Sequence, residues 1–189
     1  MSGAARSEAD AAFARLASFT AEIPRLRWFA AVGTTLTPPM VAAAETYVAA
    51  LGLVPCPVAT VGSWHEAAAA AQRPDWSRDW WQAESVCEQA LQRQAGARFG
   101  LEPLLAALTD VTDAAAGIRD QAAAALACAG LDDEALAKVA AGAAAQACHQ
   151  QGLALLAGDS AGRAFAVKFT LFAAGRWPLG IVGGTCFVF

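Results

Sequence analysis

Apolar residues recur at three- and four-residue intervals along most of the chain, the pattern of helices that each bury one face. Phe13, Leu16, Ala17 and Thr20 predict a helix over residues 7–22, closed by Ile23-Pro24. The stretch RLRWFAAVGTTL then reads as a helical turn or loop in which Trp28 and Phe29 dock. Thr37-Pro38-Pro39 has the form of a helix start, a hydroxyl cap followed by proline in the first turn. The helix it opens, over 38–51, carries Met40, Ala44, Tyr47 and Leu51 on one face and ends at Gly52. Residues 53–63 hold two prolines and a glycine and predict a long connection.

Ser63 and Glu66 form a capping box ahead of an alanine-rich helix that breaks at Arg73-Pro74-Asp75. A long helix is predicted over 76–97. Residues 101–130 read as one or two helices with a joint between Thr109 and Thr112. Asp132 opens a further helix to Ala157, closed by Gly158, and a last one over 161–174 carries Phe165, Phe169 and Phe172 on one face before Gly175. The ending RWPLGIVGGTCFVF is glycine-rich, β-branched and aromatic, and is expected to be extended, as one strand or a strap across the bundle. The fold class is therefore all-α: one domain of six to eight helices, with residues 1–6 flexible and 175–189 forming an extended apolar strap.

Composition agrees. Of the 189 residues 57% are hydrophobic and 16% charged, against about 25% charged in typical globular domains. Much of the apolar excess is alanine, the best helix former, which favours closely packed helices. A formal charge of −4 without clustered Lys or Arg speaks against a nucleic-acid partner. The polar N-terminus has no signal-peptide core, and the longest uncharged apolar stretch, residues 177–189, falls short of the roughly 20 residues a bilayer needs. A cytoplasmic protein that does not associate with membranes is expected. The five cysteines, Cys56, Cys87, Cys128, Cys148 and Cys186, show no CxxC spacing and read as reduced thiols rather than a zinc or redox site.

The stretch DWSRDWWQAESVCEQAL, residues 75–91, is the most informative for chemistry. At about 100° per residue, Trp76, Trp80, Cys87 and Leu91 define a buried face. Glu84 falls at the edge of that face, with Glu88 one turn further round beside Trp81. A carboxylate on an apolar border must be paired, protonated or metal-bound, so Glu84 is the leading candidate. The plainer alternative is a boundary glutamate held by an arginine or a backbone donor. Trp80 and Trp81 could line a ligand cavity or fill a core. His65-Glu66 lacks a second histidine four residues on, so it is no zinc-protease motif.

His149 lies about 100° from the stripe of Leu136, Val139, Ala143 and Leu153 on its helix, while Gln146 and Gln150 lie within that stripe and need partners. Glu45 sits off the apolar face of its own helix. Arg176 is either an anchor for a carboxylate such as Glu84, or a cation at the end of the Phe-rich helix; Trp177 follows it. The strings GDSAG and GIVGG lack the lysine and helix context of a phosphate loop, and no G-x-S-x-G is present.

Two classes of function stay open. The first is a non-enzymatic helical module that needs no cofactor, binding a partner protein or a small apolar ligand through Trp80, Trp81, Glu84, Glu88, His149, Arg176 and Trp177. The second is a metal-dependent helical-bundle enzyme using Glu84, Glu88 and His149, although no Glu-x-x-His pair occurs. A homodimer is a further expectation, through the strap or the alanine-rich faces.

Overall fold

The computed structural model describes residues 3–158 and 162–189. Among them, eight α-helices, one 3-10 turn and three short strands follow one another. The protein is a helical bundle carrying a small sheet at the place of the expected strap.

Helix α1 (Gly3–Glu22) runs directly into the 3-10 turn Ile23–Arg25. Residues 3–6, expected to be flexible, form the first turn of α1; residues 1 and 2 lie outside the described residues. Trp28 and Phe29 are buried as expected, and the Trp28 indole donates to the Ile23 carbonyl at 3.1 Å. Helix α2 (Pro38–Ala50) starts at its two prolines, but the Thr37 side chain makes no capping bond. The fixed φ of proline sets that first turn instead. In α3 (Trp64–Ala71) the Ser63 hydroxyl accepts from Glu66 N, and the Glu66 carboxylate reaches back to Gly62 N at 2.8 Å.

Helix α4 (Arg78–Phe99) begins two residues later than the apolar pattern suggests, because Ser77 Oγ accepts from Trp80 N at 3.2 Å and caps it. The joint expected between Thr109 and Thr112 lies instead at residues 115–117, between α5 (Leu101–Ala114) and α6 (Ile118–Cys128). Thr109 and Thr112 each donate to the carbonyl one turn back, Leu105 O at 2.9 Å and Leu108 O at 3.0 Å, so their hydroxyls are satisfied without breaking the helix. Helix α7 (Glu134–Ala157) is capped by Asp133, not Asp132: Asp133 Oδ1 accepts from Leu136 N at 2.9 Å. Helix α8 is Arg163–Ala173; its expected start at residue 161, and most of the GDSAG string, lie outside the described residues. It ends in a paired turn, with Gly175 N on Phe172 O at 2.8 Å and Arg176 N on Leu171 O at 3.0 Å.

Helix α7 is the central rod, packed against α1, α4, α5, α6 and α8. Its inward surface is built on Ala137, Ala140, Ala141, Ala144 and Ala147, all buried, which lets neighbouring backbones come close. Val139, expected on the buried stripe, is 53% exposed. A stripe drawn through large side chains misses a face made of alanine.

The C-terminal segment is a hairpin rather than one strand. Strands β2 (Pro178–Val182) and β3 (Thr185–Val188) turn through Gly183-Gly184, both at positive φ, as a two-residue hairpin demands. The long connection 53–63 contains β1 (Val58–Thr60), which pairs parallel with β3, giving the order β1-β3-β2. Both sides of β3 are thus taken within the chain, so the strap does not hold out an open β3 edge to a second copy. No helix among the described residues is long and apolar enough to cross a membrane.

Candidate functional site

Four tryptophans meet around one cavity. Trp80 and Trp81 come from the first turn of α4, Trp76 from just before it, and Trp177 from the entry to β2; the cavity they wall has a volume of about 440 Å³. Two backbone links hold the start of α4 to the sheet: Trp76 bridges Val182, and Ser77 N donates to Ile181 O at 2.9 Å. The indoles of Trp76 and Trp80 stack at 5.9 Å, and Trp81 tilts against Trp80 at 4.6 Å.

Gly180 makes this packing possible. Its φ is +130°, and a Cβ there would stand 2.5 Å from the Trp80 ring and 2.9 Å from that of Trp76. Only a residue without a side chain lets β2 lie flat on the two rings.

A chain of buried polar groups runs from this aromatic wall into the bundle. Trp80 Nε1 donates to the Tyr47 hydroxyl at 2.7 Å, and Tyr47 donates in turn to Glu84 Oε1. Lys168 Nζ donates to the same Glu84 oxygen at 2.6 Å and to Gln150 Oε1 at 3.1 Å. Gln150 Nε2 continues to Glu88 Oε2 at 2.9 Å. Glu84, Lys168 and Gln150 are 4%, 5% and 0% exposed, so bulk water supports none of these groups well. Glu84–Lys168 is the one ion pair among the described residues with both side chains buried. Four helices supply the network: α2, α4, α7 and α8.

Burial, and then the neighbouring Glu84 carboxylate, hold the Tyr47 phenol well above its usual range. Tyr47 is therefore a neutral donor at physiological pH, not a phenolate base. Lys168 Nζ is engaged by two acceptors at once, the Glu84 carboxylate and the Gln150 amide oxygen. The arrangement anchors polar groups from four helices and orients them.

Glu84 lies in the walls of two adjoining spaces. One is the aromatic cavity, where Lys168, Gln146 and Leu179 also take part. The other, about 220 Å³, is polar and bordered by Trp81, Glu84, Ser85, Glu88, Gln89 and Gln146. Of the residues singled out from sequence, Trp80, Trp81, Glu84 and Trp177 meet at the first and Glu88 at the second.

Arg176 does not join them. It is buried, but its guanidinium donates to the backbone carbonyls of Thr34 and Thr35, pinning the loop before α2 rather than Glu84 or the end of α8. Half-buried His149 does not join either. The metal alternative needs Glu84, Glu88 and His149 about one ion, yet among the described residues no three His, Cys, Asp or Glu side chains are grouped to hold one. Neighbouring Gln150, about 100° round the helix from His149, meets Glu88 instead. Glu45 is exposed on α2.

Tyr47, Lys168 and Gln150 are the members that the sequence pattern did not single out as functional, although Gln150 stands out there as needing a partner. Lys168 had a signal: it is three residues after Phe165 and four before Phe172, on their buried face. A larger cleft of about 770 Å³ lies between the 27–34 loop, α3 and α6, with His65 and Cys128 on its wall. Both are exposed, and Gln121 there is occupied by Trp28 N at 3.0 Å, so no buried charge marks this cleft as the site.

Compared with known protein families, curated proteins and solved structures, the chain matches none of them. The fold and cavity alone define its class: a helical bundle, capped by a three-stranded sheet, with an aromatic-walled chamber over a buried ion pair.

Proposed function

We propose that this protein is a non-enzymatic binding module for a small ligand with a flat apolar body and a polar end. The body lies among Trp76, Trp80, Trp81 and Trp177, and the polar end points toward Glu84, in the wall shared with the polar space. One observation carries this reading: a cavity of about 440 Å³, within the size range of small-molecule sites, has the protein's buried ion pair in its wall. An apolar enclosure with a few convergent polar groups binds and orients a ligand without needing a reactive side chain. No disulfide joins any of the five cysteines, which suits the reducing cytoplasm.

Trp81 and Val139 support a second reading, a partner protein or a second copy of the chain. Both border the cavity and are 51% and 53% exposed, forming an apolar lip on which a partner side chain could seat.

The test uses dansylamide, a neutral, flat, fluorescent probe. Four of the six tryptophans surround the cavity, so its binding is read as energy transfer from tryptophan to the probe. One equivalent should bind, and Ala143→Phe, which places a ring in the cavity from α7, should abolish binding while circular dichroism stays unchanged. Binding that survives Ala143→Phe, or none at all, rejects the cavity as the site.

A further inference from the structure

The cavity and its polar neighbour form one bilobed site, because Trp81, Glu84 and Gln146 border both. Their linings carry two carboxylates, Glu84 and Glu88, and one ammonium, Lys168. Lys168 is already committed, at 2.6 Å from Glu84 and 3.1 Å from Gln150. Glu88 is met at 2.9 Å by a neutral amide, so its charge stands as the excess.

We propose that the ligand carries an organic cation, an ammonium or quaternary ammonium group, on its apolar body, with the cation in the polar lobe beside Glu88 and Trp81. This rests on the binding reading above and names the ligand class for the same site. Three features converge on it. An anionic head in the polar lobe would face both carboxylates and find no free cation in the lining. A cationic head compensates Glu88. Indole faces attract cations through the ring quadrupole, most strongly where water is partly excluded, and Trp81 borders both lobes. Ser85, Gln89 and Gln146 supply neutral oxygens to an N–H head, while the body stays among the other three tryptophans.

The experiment compares three dansyl probes with one fluorophore and different heads: neutral dansylamide, anionic dansylglycine and cationic dansylaminoethyl-trimethylammonium. At low salt the cation should bind about tenfold or more tightly than the anion, and added salt should narrow the gap. Glu88→Gln keeps the size of the side chain and an acceptor for Gln150. It should bring the cation and anion close to equal affinity. If dansylglycine binds as well as the cation, or Glu88→Gln leaves the preference intact, the cationic head is wrong while the binding site stands. If none of the three binds, the binding reading itself falls.

Discussion

Lys168 Nζ lies 2.6 Å from Glu84 Oε1, joining residues 84 positions apart and two helices, α4 and α8. A buried pair of this kind stabilises weakly as a unit, since desolvation offsets the attraction, but losing one partner strands the other. Lys168→Met should therefore destabilise the fold by about 3–5 kcal/mol. Replacing both residues, Glu84→Met with Lys168→Met, should recover about 2 kcal/mol or more of that loss. Urea unfolding of the two single variants and the double variant gives the coupling directly. Additive losses would mean that the two side chains act independently.

The Tyr47 hydroxyl serves two neighbours at once, accepting from Trp80 Nε1 and donating to Glu84. Tyr47→Phe keeps the ring but leaves a buried indole N–H without its acceptor and removes one donor from the carboxylate. A loss of about 1–3 kcal/mol is expected in thermal unfolding, with weaker dansylamide binding because Trp80 is no longer held. Unchanged stability would show that water replaces the hydroxyl.

Gly180→Ala tests the contact between β2 and the aromatic wall. Alanine would sit at an unfavourable φ and push its Cβ into the Trp80 and Trp76 rings. The cost should exceed about 1 kcal/mol, the usual scale for alanine forced into a glycine conformation. Near-ultraviolet circular dichroism should change with it, because two stacked indoles must move. Gly184→Ala is the comparison: its added Cβ meets nothing within 4 Å, so it feels the backbone strain alone and should leave that signal intact.

Alkaline pH should unfold the protein early. Burial raises the thiols of Cys148 and Cys186 from 9.0 to about 12, and raises the Tyr47 phenol well above 10.0. Each group ionises first in the unfolded chain, which then holds fewer protons than the folded one, so stability falls as pH rises. The stabilising contribution is complete below pH 9.0, declines between 9.0 and about 12 for the two thiols, and declines above 10.0 for Tyr47. Each group adds a slope of up to about 1.4 kcal/mol per pH unit in its window. Urea midpoints measured from pH 8 upward, with Cys148→Ala for comparison, should show a shallower decline in the variant.

The helical architecture was legible because a 3.6-residue period survives in large side chains, and Glu84 was legible because it falls at the margin of a tryptophan face. Its partners were harder to read. Lys168 occupies a core position among phenylalanines, where charge is unexpected without knowledge of the helix opposite. Tyr47 was placed correctly on the buried face of α2, but periodicity gives no information about where a hydroxyl points. Gln150 needs a partner by its place in the stripe of α7, and Glu88 together with Lys168 supplies it. The strand β1 could not be seen, since three residues after a proline carry no period and their partner lies far along the chain. The pattern puts Val139 on the buried face of α7, where it is exposed, for the same underlying reason as the helix packs tightly: alanine contributes little to any hydrophobic pattern.

The parallel pairing of Val58 with Cys186 also has a consequence for biosynthesis. During translation β1 leaves the ribosome while its neighbour β3 has yet to be made, and Trp177 to Leu179 follow every other residue of the chamber wall. The chamber can therefore close only once the hairpin has been made and is bonded to the start of α4.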